Sequence, residues 1–456
     1  MGHSLLIRNA EAILTGLPGE AARAKGPDVR VIDGRIAAIG ALTPEANERV
    51  LDASGCAIYP AWVNTHHHLF QTLLKAVPGG IDVPLDSWLV AVPYAFRMKF
   101  DASLLQTAAA LGTAELLLSG CTTMADHHYL YWPGMPFDGS AILFETAQRF
   151  GMRFVLCRGG ATLPRKVGDG TLDPMPPERF DAIVKDLERL AKTYHDPGPE
   201  SRRRVVAAPA TPMWSMRPEE IREFGQIGRA LGLRLHTHVS ETRDYVDYCR
   251  QAHGCLPVEF MARLDWLGQD VWFAHLVHLD EQEMRMLADT RTGMAHCPGS
   301  NCRLGSGIAP APALDRLGVP VSIGVDGTAS NEPGDFVAEA HLAWYVHRAR
   351  GGADAATIED IVRWGTNGGA AVLGFEQLGA IAQGFLADVA VYELDDIRFA
   401  GMHDRGTAPV TTGVRPALRW LLSGGRIVVE RGKIPGVDLE SLARDARAAV
   451  ARLAGG

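Results

Sequence analysis

No stretch of this 456-residue chain approaches the roughly 18 uninterrupted apolar residues that a membrane-spanning helix requires. Positive charge is also short: 45 Lys and Arg stand against 53 Asp and Glu, a formal net charge of -8. A mildly acidic surface argues against nonspecific binding of nucleic acid. The isolated run Arg202-Arg203-Arg204 reads as a solvated strand entry rather than a phosphate patch. Residues 1–13 lack the basic start and long apolar core of a signal peptide. The seven cysteines are an odd number without framework spacing, and Cys297 and Cys302 stand too far from other candidates for a four-ligand structural zinc site. These absences imply a reduced, cytoplasmic setting with neither a membrane nor a nucleic acid as partner. There is no internal repeat and no low-complexity tract.

What is present is a large apolar fraction, 47%, with 21% charged side chains, enough for a substantial buried core. The first 56 residues read as short strands at 4–8, 12–14, 29–32 and 35–39, with Asp33-Gly34 as a hairpin turn. Strands are expected again at 387–394, 417–422 and 426–429, the last two joined by Ser423-Gly424-Gly425. Neither end has enough strands to bury a core alone. Residues 1–56 and 376–456 are therefore expected to form one composite β-sandwich.

Between them, apolar runs alternate with helical stretches. Strands are expected at 57–64, 122–125, 153–158, 205–208, 234–238, 271–274, 293–296 and 321–325. Helices are expected at 104–118, 141–150, 179–194, 218–231 and 281–287. Eight strands separated by helices point to an α/β fold, a (β/α)8 TIM-type barrel over 57–375. Periodicity alone also suits a doubly wound sheet. The barrel makes a sharper demand, that chemical residues sit at the C-terminal ends of the strands.

Sixteen histidines supply them. The first strand ends in Asn64-Thr65-His66-His67-His68, where alternation puts His66 and His68 on one side and His67 on the other. The fifth ends in His236-Thr237-His238-Val239-Ser240-Glu241, the sixth in Ala274-His275, the seventh in His296-Cys297, the eighth in Val325-Asp326-Gly327. Three imidazoles and a carboxylate around one mouth are an ordinary zinc or ferrous set with a position left for water. Glu241, just beyond a ligand, is a candidate acid/base group. Parity allows His236 as well as His238 to face the mouth.

The sequence resembles the amidohydrolase superfamily, in particular its metal-dependent deaminases of nucleobases and pterins. The motifs are Asn64-Thr65-His66-His67-His68 followed by Gln71, His238-Val239-Ser240-Glu241, His275, His296-Cys297-Pro298-Gly299-Ser300-Asn301 and Asp326-Gly327-Thr328-Ala329-Ser330-Asn331. Residues 60–71 and Tyr131-Trp132-Pro133-Gly134-Met135-Pro136-Phe137-Asp138 look most like the isoxanthopterin deaminases, then the 8-oxoguanine deaminases. The resemblance implies metal ligands at His66, His68, His238 and Asp326, with Glu241 as proton carrier and His275 as partner of water and substrate. The three-residue interval from His238 to Glu241 matches the family and selects His238 over His236. Two-metal members carry a bridging carboxylated lysine or a glutamate at the fourth strand's end. Residues 205–214 have neither, so one divalent metal per chain is expected, zinc first and iron second.

The expected reaction is hydrolytic release of ammonia from a flat, nitrogen-rich ring, with Asp326, His275 and Glu241 as catalytic residues. Gln71 is expected to meet a lactam or amino edge. Arg158 is expected to meet a ring carbonyl, a structural ion pair being its alternative. Trp88, Tyr129 and Trp132, with Trp214, are expected to stack on the ring. The loop 78–93 is a candidate lid. An s-triazine amino- or chlorohydrolase, or a guanine or cytosine deaminase, is the alternative on the same scaffold. A metal-free scaffold relative is disfavoured because every ligand position is filled. The resemblance also implies a homo-oligomer, a dimer or larger.

Overall fold

In the computed structural model, which describes residues 4–167 and 170–455, the strands follow in chain order. They are β1 Ser4–Arg8, β2 Ala12–Ile13, β3 Asp28–Ile32, β4 Arg35–Gly40, β5 Arg49–Asp52, β6 Cys56–Pro60 and β7 Trp62–His67. Then come β8 Cys121–His128, β9 Arg153–Arg158, β10 Lys166–Val167, β11 Thr171–Leu172, β12 Arg203–Ala207 and β13 Arg234–Val239. The last are β14 Val271–His275, β15 Gly293–His296, β16 Val321–Ile323, β17 Val389–Glu393, β18 Leu418–Ser423 and β19 Arg426–Glu430.

Eight parallel strands run in the order β7-β8-β9-β12-β13-β14-β15-β16, the barrel read from the alternation of strands and helices. Such strands are buried on both faces, which is why they appeared as near-continuous apolar runs. Closure between the last strand and the first falls at the C-terminal mouth. The Asn64 side-chain oxygen accepts from the Val325 amide (3.0 Å), and the Asp326 amide donates to the His66 carbonyl (2.9 Å). Closing the barrel thereby sets Asp326 against His66.

The chain ends build two further sheets, β4-β3-β1-β5 and β19-β18-β17-β6-β2. They share one apolar core, to which Ile7, Val29 and Val31 come from the first sheet and Ile58, Val389, Val391 and Leu422 from the second. Both hairpin turns have positive φ where a primed turn needs it: 49° and 80° at Asp33-Gly34, 57° and 75° at Gly424-Gly425. Sandwich and barrel are locked by polar contacts. The Tyr392 hydroxyl donates to the Ser119 carbonyl (2.6 Å) and accepts from Trp62 Nε1 (2.8 Å). Asp388 accepts from Thr122 (2.7 Å), Arg153 (3.2 Å) and the Gly424 amide (2.7 Å).

Three expectations need correction. The strand expected at 57–64 is two: β6 pairs with β17 in the outer sheet, and only β7 belongs to the barrel. The amide of Ala61 between them donates to the Asp388 carbonyl (2.9 Å), so the chain changes sheets without a loop. The second barrel strand runs to His128, three residues past the apolar stretch, because the barrel interior accommodates its polar end. The C-terminal helix Leu439–Gly455 packs on the barrel helix Ala102–Leu118, with Arg452 on Asp101 (2.9 Å), rather than joining the sandwich. No helix among the described residues is long and apolar enough to cross a membrane.

Candidate active site

Strand alternation delivers His66 and His68 to the mouth and turns His67 away. His67 Nδ1 donates to the Asp326 carbonyl at 2.5 Å. His238 arrives from β13 and Asp326 from just beyond β16. The His66 and His68 Nε2 atoms lie 3.4 and 3.2 Å from Asp326 Oδ1, and His238 Nε2 lies 3.3 Å from His68 Nε2. The four residues expected to bind metal therefore meet at one point.

Their outer nitrogens fix which inner atoms are bare. His236 Nδ1 donates to the Trp272 carbonyl (2.9 Å), so in the neutral ring its Nε2 accepts from His66 Nδ1 (2.8 Å). His68 Nδ1 donates to the His127 carbonyl (2.7 Å) and His238 Nδ1 to the Ala210 carbonyl (2.6 Å). Burial pushes His66 down to about 3 and His236 and His238 well below the ordinary histidine range, so these rings are neutral. Three Nε2 lone pairs and a carboxylate then face one another. Burial opposes charge on His68 as well, yet Asp326 raises its pKa, drawing positive charge to this point. Acceptors crowded in this way favour a positive charge among them, and imidazole nitrogens with a carboxylate suit zinc or ferrous iron. The residues fit a metal. His236, which parity left open, stands behind His66 and orients it.

His127 was missed by the sequence reading. Its ring is buried, neither nitrogen has a hydrogen-bond partner among the described residues, and its ligand atom and those of His66 and His238 lie within 4.8 Å of one another. A second such group is His66, His275 and Asp326. The signal was available, since Asp126-His127-His128 ends the second strand as the histidine run ends the first.

Glu241 and His275 flank the centre, with His275 Nε2 3.6 Å from Glu241 Oε2. His275 Nδ1 donates to Asn301 Oδ1 (2.9 Å), leaving Nε2 towards the cavity. Burial raises the Glu241 carboxyl above its ordinary range, with His275 opposing. Ser240, His275 and Asp326 have φ of 55°, 76° and 61°. Left-handed backbone at non-glycine residues costs on the order of 1–3 kcal/mol each. The turn is held by amides of Leu276 and Val277 donating to the carbonyls of Val239 (3.0 Å) and Ser240 (2.9 Å).

Above this floor lies a cavity whose lining includes His68, His238, Glu241, His275 and Asp326. Gln71 Nε2 donates to the Tyr129 hydroxyl (2.8 Å), while Oε1 is buried without a donor among the described residues. Tyr129 stands edge-on to His68, the ring centroids 5.0 Å apart. Trp88, on the short helix Leu85–Leu89 of the expected lid, lines the wall with Nε1 held by the Ala329 carbonyl (3.2 Å). Trp214 lines it too.

Two expected contacts are corrected. Arg158 is buried outside the cavity lining, over the Tyr131 ring (4.1 Å). Its guanidinium is committed to both oxygens of Glu178 (2.7 and 2.9 Å), to Asp186 (3.0 Å) and to the Gly159 carbonyl (2.6 Å), which makes it the ion pair that was its alternative. Trp132 packs edge-on against Phe137, centroids 6.0 Å apart, and lies off the cavity. The cations that do line it are Arg97 and Arg165, which no motif marked.

Residues 57–428 match the amidohydrolase family. The chain is 51% identical to an isoxanthopterin deaminase from an unknown prokaryotic organism, over 99% of this chain and 97% of that one. It is 38% identical to the 8-oxoguanine deaminase of Pseudomonas aeruginosa, over 99% of both. The atrazine chlorohydrolase of Arthrobacter aurescens TC1, solved with zinc, superposes with a TM-score of 0.90 at 28% identity, covering 98% of this chain and 100% of that one.

Proposed function

The chain belongs to the amidohydrolase family, and on that premise we propose that it is a metal-dependent hydrolytic deaminase of an oxidised pterin or purine, isoxanthopterin first and 8-oxoguanine second. One observation carries the reading: three imidazole Nε2 atoms and the Asp326 carboxylate converge beneath a cavity that Glu241 and His275 also line. Similarity to deaminases of those two compounds supports it.

His66, His68, His238 and Asp326 would hold one divalent ion, zinc first and iron second. When bound, the ion supplies a Lewis acid that brings the pKa of water towards about 7. The chain's residues handle the protons. Asp326 accepts one from the attacking water. His275, its Nδ1 committed to Asn301, presents Nε2 to the same water and then to the oxygen on the tetrahedral ring carbon. Glu241, whose burial favours the protonated carboxyl, protonates the ring nitrogen beside the amino-bearing carbon. The proton held by Asp326 then passes to the amino group, which leaves as ammonia, and the hydroxyl on the tetrahedral carbon returns its proton to Glu241 as the carbonyl forms. Gln71 meets the polar ring edge, and Trp88 and Tyr129 flank its faces.

Ammonia release from isoxanthopterin, 8-oxoguanine, guanine, cytosine and a hydroxytriazine tests this reading. The highest kcat/KM is expected with isoxanthopterin; turnover of only the triazine, guanine or cytosine overturns it. Metal analysis should find one zinc per chain. A second metal per chain contradicts a single centre. A cytoplasmic location belongs to the same proposal, supported by seven free cysteines, six of them buried. So does a homo-oligomer, which light scattering of the purified protein tests.

A further inference from the structure

We propose that Arg97 and Arg165 form a recognition site for the ring oxygen that distinguishes an oxidised pterin or purine from its parent compound. This inference rests on the deaminase reading, which accounts for the amino end of the ring but not for selection of the other end.

Both guanidinium groups line the cavity, and each has a buried Nε–H without an acceptor among the described residues. They are held in place by aromatic faces. Arg97 lies over the Tyr94 ring at 4.5 Å and Arg165 over the Trp214 ring at 4.5 Å. Arg165 also reaches the Tyr94 hydroxyl at 3.4 Å. Stacked guanidinium groups have lost their freedom before a ligand arrives, so a hydrogen bond from them costs little further ordering.

Charge makes the site selective for an oxygen. Arg97 pairs with Asp173, and Arg165 has a looser partner in the half-exposed Asp86 at 3.6 Å. Burial lowers the pKa of Arg97, and the nearby Arg165 charge lowers it further. A lactam or enolate oxygen set against the two guanidinium groups accepts their charge-assisted hydrogen bonds and offsets that repulsion. Arg165 is also near enough to Glu241 to favour that residue's charged form, and both line the same cavity. A fused two-ring substrate with its amino-bearing carbon at Glu241 presents its second ring to the arginines. In isoxanthopterin that ring carries the oxo group; in pterin it does not.

Kinetics with isoxanthopterin and pterin test the assignment in the metal-loaded wild type, Arg165→Met and Arg165→Lys. The wild type should prefer isoxanthopterin. Arg165→Met should lower kcat/KM for isoxanthopterin by about 10- to 100-fold more than for pterin, chiefly through KM, and Arg165→Lys should recover part of the loss. A role confined to clasping the two loops would lower both substrates in proportion, and that result overturns the proposal. Should Arg165→Met fail to fold, the wild type alone decides, because equal kcat/KM for both compounds also overturns it. A wild type that deaminates neither compound, nor 8-oxoguanine, removes the deaminase reading and this inference together; one that deaminates both pterins alike removes this inference only.

Discussion

His66 Nδ1 lies 2.8 Å from His236 Nε2, and the His236 ring stacks on Trp272 with centroids 4.4 Å apart. A chain of donors running from His236 to the Trp272 carbonyl thus fixes the tautomer of His66 and points its Nε2 at Asp326. Replacing His236 by Leu leaves the His66 N–H without an acceptor and its ring free to reorient. Partners of this kind are worth about 10- to 100-fold in metal affinity. His236→Leu should lose zinc to a chelator correspondingly faster, and His236→Gln, which keeps an acceptor oxygen, should lose less. Equal zinc retention in both variants and the wild type would show that His66 needs no such orientation.

Glu241 has the environment of a proton carrier rather than a ligand. It is buried, 3.6 Å from His275, and outside both groups of residues able to share an ion. Glu241→Gln keeps size and shape but cannot carry a proton. Turnover should fall by about 10²- to 10⁴-fold with metal content unchanged. Loss of the metal, or activity near that of the wild type, would assign the residue another task.

Gly327 is required by the amide it faces. A Cβ at this position would stand 1.9 Å from Gln71 Oε1, and the way out is for the Gln71 side chain to swing off Tyr129. Because the obstacle is the far end of a flexible side chain, Gly327→Ala should fold normally and bind metal. It should raise KM several-fold while leaving the melting temperature within a few degrees. A normal KM would mean that Gln71 is not a substrate contact.

Much of the centre was legible because strand alternation is a local property. His66 and His68 are two apart at a strand's end, and nothing distant decides which way they face. Arg158 failed for the opposite reason. Its position was read correctly, but its partners Glu178 and Asp186 lie 20 and 28 residues onward, beyond what the sequence around it can reveal. His127 was lost with the polar end of its strand, since Asp126-His127-His128 breaks the apolar run that defined the element. Arg97 and Arg165 come from long connections, where no periodicity says which side chains turn inward. The C-terminal helix was overlooked because the tail was assigned wholesale to the sandwich; its contact with Ala102–Leu118 joins residues more than 300 apart.

The sandwich carries a pH dependence separable from the metal centre. Arg30 grips Glu48 through Nε (2.8 Å) and a terminal nitrogen (3.0 Å), Ser4 adds a third hydrogen bond (2.7 Å), and the Glu48 side chain is fully covered. The hydrogen bonds from Arg30 chiefly lower the Glu48 carboxyl from 4.5 to about 2. A folded-state pKa below the unfolded value means that the stabilisation is fully present above about pH 4.5 and disappears as pH falls towards 2. Arg30→Met should therefore melt at a lower temperature than the wild type at pH 7, and the gap should narrow as the pH is brought from 5 to 3. Acid also releases the metal, but it does so in both proteins, so the difference between their melting temperatures isolates the ion pair. A gap that stays constant down to pH 3 would mean that Arg30 stabilises the sheet by packing its methylenes, not by holding the Glu48 charge.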